Sequence, residues 1–436
     1  MDRTSCILLT ALALWLGSLP LPAQTARERI EADPTRVACQ QHIYEVPVIR
    51  DTPPPAGYKP FYVSHFGRHG SRYHTSSKPF GPTMAVFGEM ERKGLLTDTG
   101  RAVMHIVDTL WKVHEGMAGY LTQVGSREHQ GVAERLYDRC PRVFRQKDRR
   151  DVLAVSSTVV RCNQSMMNFC TALKGKAPAL DFHYYTNGRT DEALTRVQHG
   201  GRNPIYPPVD DSMEKVDSIK RSRAHASAFA RRMFTDSTAA AACLMDGDMG
   251  SFMFQVIAHC VADQCLDEPV PRFYPYFTMD ELFDYWVYRN AATLNAHGFS
   301  YENGEALRRV GKFIVADILE KADEALQDGS TKAADLRFSH DGGVLPLMFY
   351  LGLEGNDHTW HLGEEWEHGW YAFEQIPMCT NVQMIFYRNG KGDVLAKFLH
   401  NEKETVITRL QPWKGPYYRW EDLRPYLAAL AAADCD

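Results

Sequence analysis

Short apolar runs alternate with amphipathic stretches along most of the chain. The runs at 61–65, 152–155 and 336–339 are rich in aromatic and β-branched residues, and their length is typical of buried strands. After Thr97-Asp98, apolar residues recur at helical spacing as far as Val113, which predicts an amphipathic helix with an N-terminal cap. Strands and helices that alternate in this way predict an α/β fold, in which a sheet is flanked by helices.

Two stretches depart from this alternation. Strand signals become sparse between 181 and 299, where polar helical stretches and loops rich in Gly and Pro prevail, so we expect a mostly helical inserted domain there. The α/β core then comprises 24–180 and 300–436. Near the end, two strand-like runs around Asn389-Gly390-Lys391-Gly392 predict a β-hairpin.

The N-terminus has the pattern of an export signal. Arg3 precedes an apolar run at 7–16, which Gly and Pro then break, and a small residue follows at Ala23. This pattern predicts a signal peptide over 1–23 and a mature protein in the periplasm or outside the cell. A buried N-terminal helix is the alternative. No later stretch is long and apolar enough to span a membrane.

Nine cysteines follow the predicted signal peptide. In an oxidising compartment some of them should pair, and the odd number leaves at least one free thiol. Cys260 and Cys265 are near neighbours, so we expect the first disulfide between them.

The charge balance excludes one class of function. The formal net charge is -5, whereas proteins that coat nucleic acid usually carry a basic excess. We therefore expect no nucleic-acid partner, and the positive charge for an anionic substrate must be gathered locally. Lys78 and Arg202 are candidates for lining a substrate path, and solvated surface positions are the alternative for both.

Arg68-His69-Gly70-Ser71-Arg72 is the sharpest chemical feature of the sequence, and it follows the first predicted strand directly. Two guanidinium groups, whose planar donors match phosphate oxygens, bracket an imidazole. Gly70 allows the main chain to approach a ligand closely. A neutral imidazole is a competent nucleophile toward phosphorus once flanking cations offset the phosphate charge. A basic surface turn is the alternative.

This motif resembles the signature of the histidine acid phosphatases, the second branch of the histidine phosphatase superfamily. The resemblance continues in chain order. Segment 125–130 is similar to the helix start that the family has before its second strand, and Arg161 stands where the family has a third phosphate-binding arginine. Ser339-His340-Asp341 matches the family's C-terminal His-Asp pair. Coverage runs roughly from 58 to 400. The resemblance implies a three-layer histidine phosphatase fold with an inserted helical domain.

The resemblance also implies a mechanism that needs no metal and no cofactor. Arg68, Arg72 and Arg161 hold the phosphoryl oxygens, and His340 donates a further hydrogen bond. His69 attacks phosphorus to form a phosphohistidine. Asp341 protonates the leaving oxygen and then assists the hydrolytic water. Because Asp341 must be protonated first, and an adjacent phosphate raises its pKa, we expect an acidic to mildly acidic optimum.

The substrate subgroup stays open at this point. Ser71-Arg72-Tyr73 is most similar to the multiple inositol polyphosphate phosphatases, whereas His340-Asp341-Gly342 departs from their usual His-Ala-Glu and matches phytases and acid phosphatases. We expect a small phosphorylated substrate of the inositol polyphosphate class. The alternatives are a general acid or sugar-phosphate phosphatase, or a phosphate-binding protein without turnover.

Further histidines have competing interpretations. In the segment 357–368, three histidines together with Asp357, Glu364 and Glu365 resemble a metal cluster, but the tryptophans of the segment favour a structural loop. His65 and His74, which flank the motif, could contact substrate or fill the core.

Overall fold

The computed structural model describes residues 24–187, 194 and 210–433. Its strands are β1 (Lys59–Arg68), β2 (Asp151–Ser156), β3 (Asp181–Tyr185), β4 (Lys332–Ser339), β5 (Asn381–Arg388), β6 (Val394–His400), β7 (Lys403–Thr405) and β8 (Tyr417–Arg419). Its helices up to residue 180 are α1 (Ala26–Ala32), α2 (Phe80–Arg92), α3 (Asp98–His114), α4 (Gln123–Arg139), α5 (Pro141–Phe144) and α6 (Val160–Lys176).

The later helices fall into two groups. A run without strands in the described residues contains α7 (Asp210–Arg223), α8 (Ala226–Met233), α9 (Ser237–Ala241), α10 (Met249–Cys260) and α11 (Met279–His297). The second group returns to the sheet as α12 (Gly304–Leu326), α13 (Asp341–Leu351), α14 (Ala372–Gln375) and α15 (Trp420–Ala432). The predicted helical character of this stretch therefore begins only after β3, and the boundary predicted at residue 181 falls inside the sheet.

The strands form one mixed sheet in the order β3-β2-β4-β1-β5-β6-β7, and β8 pairs with β6. The four strands β1 to β4 are parallel, and β5 is antiparallel to β1. Side chains of β1 alternate between two cores: Tyr62 and Phe66 pack on one face, and Val63 packs on the other. Helices cover both faces, so the predicted α/β fold is confirmed.

The register of the parallel strands places three chain segments together. Arg68 at the end of β1 lies opposite Ser339 at the end of β4, and Ser156 at the end of β2 lies opposite Phe338. Ligand sites of open α/β sheets lie at the carboxyl ends of the strands. Residues that are far apart in sequence are therefore neighbours at this edge.

No disulfide joins any two of the described cysteines, so the disulfide expected between Cys260 and Cys265 is wrong in this structure. The Cys265 thiol instead donates to the main-chain oxygen of Gln41 at 3.4 Å. Burial raises the pKa of Cys265 to about 12 and raises that of Cys260 well above its usual value. Both groups are therefore buried thiols rather than thiolates.

Within the described ranges, no helix combines the length and the apolar character that a membrane crossing requires. The predicted signal peptide, 1–23, lies outside these ranges.

Candidate active site

Main-chain hydrogen bonds fix His69 at the end of β1. Its N–H donates to the Ser339 oxygen at 2.9 Å, and its oxygen accepts from the Cys379 N–H at 2.9 Å. His340 leaves β4 at the same edge, and the centres of the two imidazole rings lie 5.5 Å apart. The sheet register thus joins the two sequence motifs.

The His69 ring is held in one tautomer. Its Nδ1 lies 2.9 Å from the Gly70 carbonyl oxygen, which can only accept, so Nδ1 carries the proton and Nε2 keeps its lone pair. Burial, followed by the charges of Arg161 and Arg68, holds the pKa of His69 well below its usual value. The imidazole is therefore neutral, which a nucleophile requires.

Three guanidinium groups surround this ring. Arg68 is fully buried, and its Nη1 donates to the main-chain oxygens of Gln40 at 2.5 Å and Ile376 at 2.6 Å. Burial, then the charges of Arg161 and Arg68, lower the pKa of Arg72 to about 10, so even this perturbed group is charged at neutral pH. The positive charges of the three groups repel one another in a buried site, so a bound anion would stabilise them.

His340 orients Arg161. Arg161 Nη2 donates to His340 Nδ1 at 3.1 Å, so His340 Nε2 carries the proton and donates to Ser157 Oγ at 3.2 Å. Burial, then the charge of Arg161, lower the pKa of His340 to about 3, which keeps the ring neutral. The donor role that the resemblance implies therefore requires His340 Nε2 to leave Ser157 when phosphate binds.

Asp341 begins α13 and faces the cations. Its Oδ2 accepts from Arg68 Nη2 at 2.9 Å, and its Oδ1 lies 3.6 Å from Nε2 of His297. Burial raises the pKa of Asp341, but the charges of Arg68 and His297 outweigh burial, and the net pKa is well below its usual value. Asp341 is thus a carboxylate in the unliganded protein, and a phosphate must change its surroundings before it can act as an acid.

A buried carboxylate supports the loop from behind. Glu128 on α4 accepts from the Ser71 N–H at 2.7 Å, from Ser71 Oγ at 2.8 Å and from the Tyr44 N–H at 3.0 Å. A Cβ on Gly70 would lie 2.7 Å from the Gly125 oxygen, so the loop packs main chain against main chain at the start of this helix. The sequence of segment 125–130 indicates a helix start but no role for Glu128.

His297 was missed altogether. It is the last residue of α11, in the helical stretch between the two halves of the sheet, and it contacts Asp341. Because 297 and 341 lie in different segments, no local pattern in the sequence could have linked them.

The remaining sequence candidates lie elsewhere. Lys78 is exposed before α2, and the structure records no contact between it and the described cluster. Arg202 lies outside the described residues. His65 is buried against Phe169 and Phe338, and His74 packs against Phe80 and binds the His259 oxygen at 3.1 Å, so both favour the core interpretation.

Two groups of histidine and acidic residues outside the described cluster form ion pairs with side chains of the chain itself. In the 357–368 segment, His358 pairs with Asp357 and His361 pairs with Glu302. A separate group of possible ligands, Asp33, His42 and Glu45, is within reach of one cation, but Arg36 already pairs with both carboxylates there.

The fold and this cluster define a phosphatase, a hydrolase of phosphoric monoesters. The model of the histidine phosphatase superfamily (branch 2) matches residues 63–407, and the chain belongs to this family. None of the curated protein sequences that were compared matches the chain.

Solved structures share the fold at low sequence identity. The multiple inositol polyphosphate phosphatase of Bifidobacterium longum, in complex with inositol hexasulfate, is 18% identical with a TM-score of 0.74, over 91% of this chain and 98% of that one. The D. castellii phytase is 14% identical with a TM-score of 0.63, over 96% and 89%. The Citrobacter braakii phytase is 10% identical with a TM-score of 0.53, over 87% and 99%.

Proposed function

We propose that this phosphatase works through a phosphohistidine on His69. The observation that carries the proposal is the neutral imidazole of His69, with Nε2 unprotonated, among Arg68, Arg72 and Arg161. Phosphoryl transfer asks a protein mainly for positioning and for stabilisation of charge. The three guanidinium groups supply the charge, and the Gly70 hydrogen bond supplies the position.

In the first step, Nε2 forms a bond to phosphorus as the bond from phosphorus to the ester oxygen breaks. The leaving oxygen takes a proton from Asp341. In the second step, water attacks the phosphohistidine while Asp341 accepts its proton. The products are the alcohol, inorganic phosphate and the original neutral His69.

Asp341 becomes an acid only when phosphate binds. In the unliganded protein Arg68 Nη2 donates to this carboxylate, and phosphate oxygens compete for the same donor. Once Arg68 turns to phosphate, Asp341 loses a cation and gains a neighbouring anion, and both changes raise its pKa. The rate should therefore fall as pH rises through the pKa of Asp341 in the complex, which gives an acidic to mildly acidic optimum.

We propose inositol polyphosphates as the substrate class. The clustered cations suit a highly anionic substrate, and the names of the structural neighbours point the same way. Phosphate release from inositol hexakisphosphate, glucose 1-phosphate and an aryl phosphate, measured from pH 4 to 8, tests this. A preference of about a hundredfold in kcat/KM for the inositol compound, about 2.7 kcal/mol, supports it. Equal rates favour a general acid or sugar-phosphate phosphatase.

Turnover itself is tested by His69→Ala and Asp341→Asn. An enzyme of the proposed mechanism loses phosphate release in both variants, and a phosphate-binding protein without turnover would release none in any form.

Export is tested by fractionating cells that produce the full chain or a form starting at residue 24. If 1–23 is a signal peptide, the full chain should leave the cytoplasm and the form starting at residue 24 should stay there.

A further inference from the structure

A second concentration of positive charge lies away from the site already described. Residues 142–150 contain five basic residues and one acidic residue, although the whole chain has a net charge of -5. The structure folds this segment beside the start of β1 and the turn between β5 and β6. Together they line a cavity of about 330 Å³, which we call the basic pocket. Its charged lining residues are Lys59, Arg142, Asp148, Arg149 and Arg388.

The basic pocket is not an extension of the phosphatase site. Lys59 is the first residue of β1 and Arg68 is the last, ten residues along one strand. At about 3.3 Å per residue, the two places are roughly 30 Å apart, at opposite edges of the sheet. A ligand in one cannot contact the other.

Two guanidinium groups of the basic pocket are fixed in place but not neutralised. Arg149 Nη1 donates to the main-chain oxygens of Ala325 at 2.8 Å and Lys332 at 3.2 Å. Arg388 Nη2 donates to the Leu326 oxygen at 3.1 Å. These carbonyl groups fix the orientation of the two guanidinium groups but supply no negative charge.

Both guanidinium groups also pack on one aromatic ring. The guanidinium carbons of Arg149 and Arg388 lie 5.2 Å and 4.4 Å from the centre of the Phe61 ring. Arg149 is only 6% exposed, and burial, followed by the charge of Arg388, lowers its pKa. Two like charges are therefore held close together in a partly dehydrated place, which a bound anion would stabilise.

Carboxylates do not provide that anion. Among the described residues, the four cations of the basic pocket (Lys59, Arg142, Arg149 and Arg388) have no acidic oxygen within ion-pair distance. Asp148 also lines the pocket, and its charge raises the pKa of Arg149, but burial and the charge of Arg388 outweigh this effect. Most other arginines of the described chain do have one, as in the pairs Arg135–Glu402 and Arg424–Asp323. These cations line a cavity and come from three separate segments of the chain, whereas the charges of a solvated helix face come from one segment and point into solvent.

We propose that the basic pocket binds a small oxyanion of the phosphate type, either inorganic phosphate or a phosphorylated organic molecule. Guanidinium groups present paired donors that match phosphate oxygens. The cavity has the size of a small-molecule site rather than of a groove for a chain. The proposal goes beyond the proposed reaction and does not depend on it, because the pocket contains none of the residues assigned to catalysis.

Calorimetric titration of the full chain tests the proposal with two probes, inorganic phosphate and inositol hexasulfate. The variant Arg142→Gln/Arg388→Gln removes two exposed or half-buried charges of the pocket and leaves buried Arg149 in place. The matched control is Lys391→Gln, an exposed charge in the same β5–β6 turn that does not line the pocket. Lys59→Gln is a second, independent test on a different segment.

We expect the double variant to lose one binding event, or to weaken it at least tenfold, with kcat for ester hydrolysis unchanged. Lys59→Gln should weaken the same event several-fold, and Lys391→Gln should not. A response to phosphate identifies the inorganic ion, and a response to hexasulfate alone identifies an organic polyanion. Equal losses in the control and the double variant, or unchanged binding in folded variants, would overturn the proposal. Failure of His69→Ala to abolish turnover would affect only the proposed reaction.

Discussion

Replacement of Glu128 by glutamine tests how the phosphate-binding loop is held. Both carboxylate oxygens of Glu128 accept hydrogen bonds, Oε2 from the Ser71 N–H and Oε1 from Ser71 Oγ and the Tyr44 N–H. Glutamine keeps the shape and one accepting oxygen. Its amide nitrogen, however, then faces a donor, whichever way the group is turned.

The magnitude follows from these contacts. A buried donor that loses its partner costs about 1–3 kcal/mol, and bonds to a neutral acceptor are weaker by about 1 kcal/mol each than bonds to a charged one. The free energy of unfolding should therefore fall by about 2–4 kcal/mol. Because Ser71 lies two residues after His69, a shift of the loop by about 1 Å should also lower kcat by about a hundredfold.

The assay combines urea unfolding with steady-state kinetics on an aryl phosphate. Glu134→Gln is the matched control, since Glu134 is an exposed residue of the same helix, α4. We expect both losses in Glu128→Gln and neither in the control. The reasoning is refuted if the free energy of unfolding of Glu128→Gln lies within about 0.5 kcal/mol of that of Glu134→Gln and the two kcat values agree within about twofold.

Three further outcomes are expected. His297→Ala removes a neighbour whose charge lowers the pKa of Asp341, so the alkaline limb of the pH–rate profile should move to higher pH; an unmoved limb would exclude this coupling. Burial lowers the pKa of His129 to about 3, so its unfolded form binds more protons and stability is lost as pH falls from about 6.5 toward 3, by about 1.4 kcal/mol per unit. The free energy of unfolding, measured in urea at pH 7 and at pH 5, should change less between the two pH values in His129→Leu than in a variant of an exposed histidine. Equal changes would contradict the assignment. Gly70→Ala places a Cβ 2.7 Å from the Gly125 oxygen, so thermal unfolding and kinetic assays should both show a marked loss, and normal values would show that the loop adapts.

The sequence allowed the fold class to be predicted because local patterns specify it. The apolar runs at 61–65, 152–155 and 336–339 predicted the cores of β1, β2 and β4. The edge strand β3 was missed because most of its residues are exposed, so the apolar signal of a buried strand is absent. Short local patterns cannot reveal an element that is stabilised mainly by pairing with its neighbour.

The site was predictable only where its residues occur in motifs. His69 and its flanking arginines are adjacent in sequence, whereas the Arg68–Asp341 ion pair joins residues from two strand ends. The same limit applies to His340, whose hydrogen bonds with Ser157 and Arg161 depend on the register of β2 against β4. The disulfide prediction failed for a related reason, since cysteine count and spacing give no information about which neighbours a buried thiol contacts.

The most direct test of the central claim is to trap the phosphorylated protein. Asp341→Asn, mixed with an aryl phosphate whose leaving group needs little protonation, should accumulate a phosphoryl group because the hydrolytic step lacks its base. Peptide mass spectrometry after alkaline quenching should locate that group on His69, and the label should disappear in His69→Ala/Asp341→Asn. Phosphate on another residue, or full turnover by His69→Ala, would contradict the account.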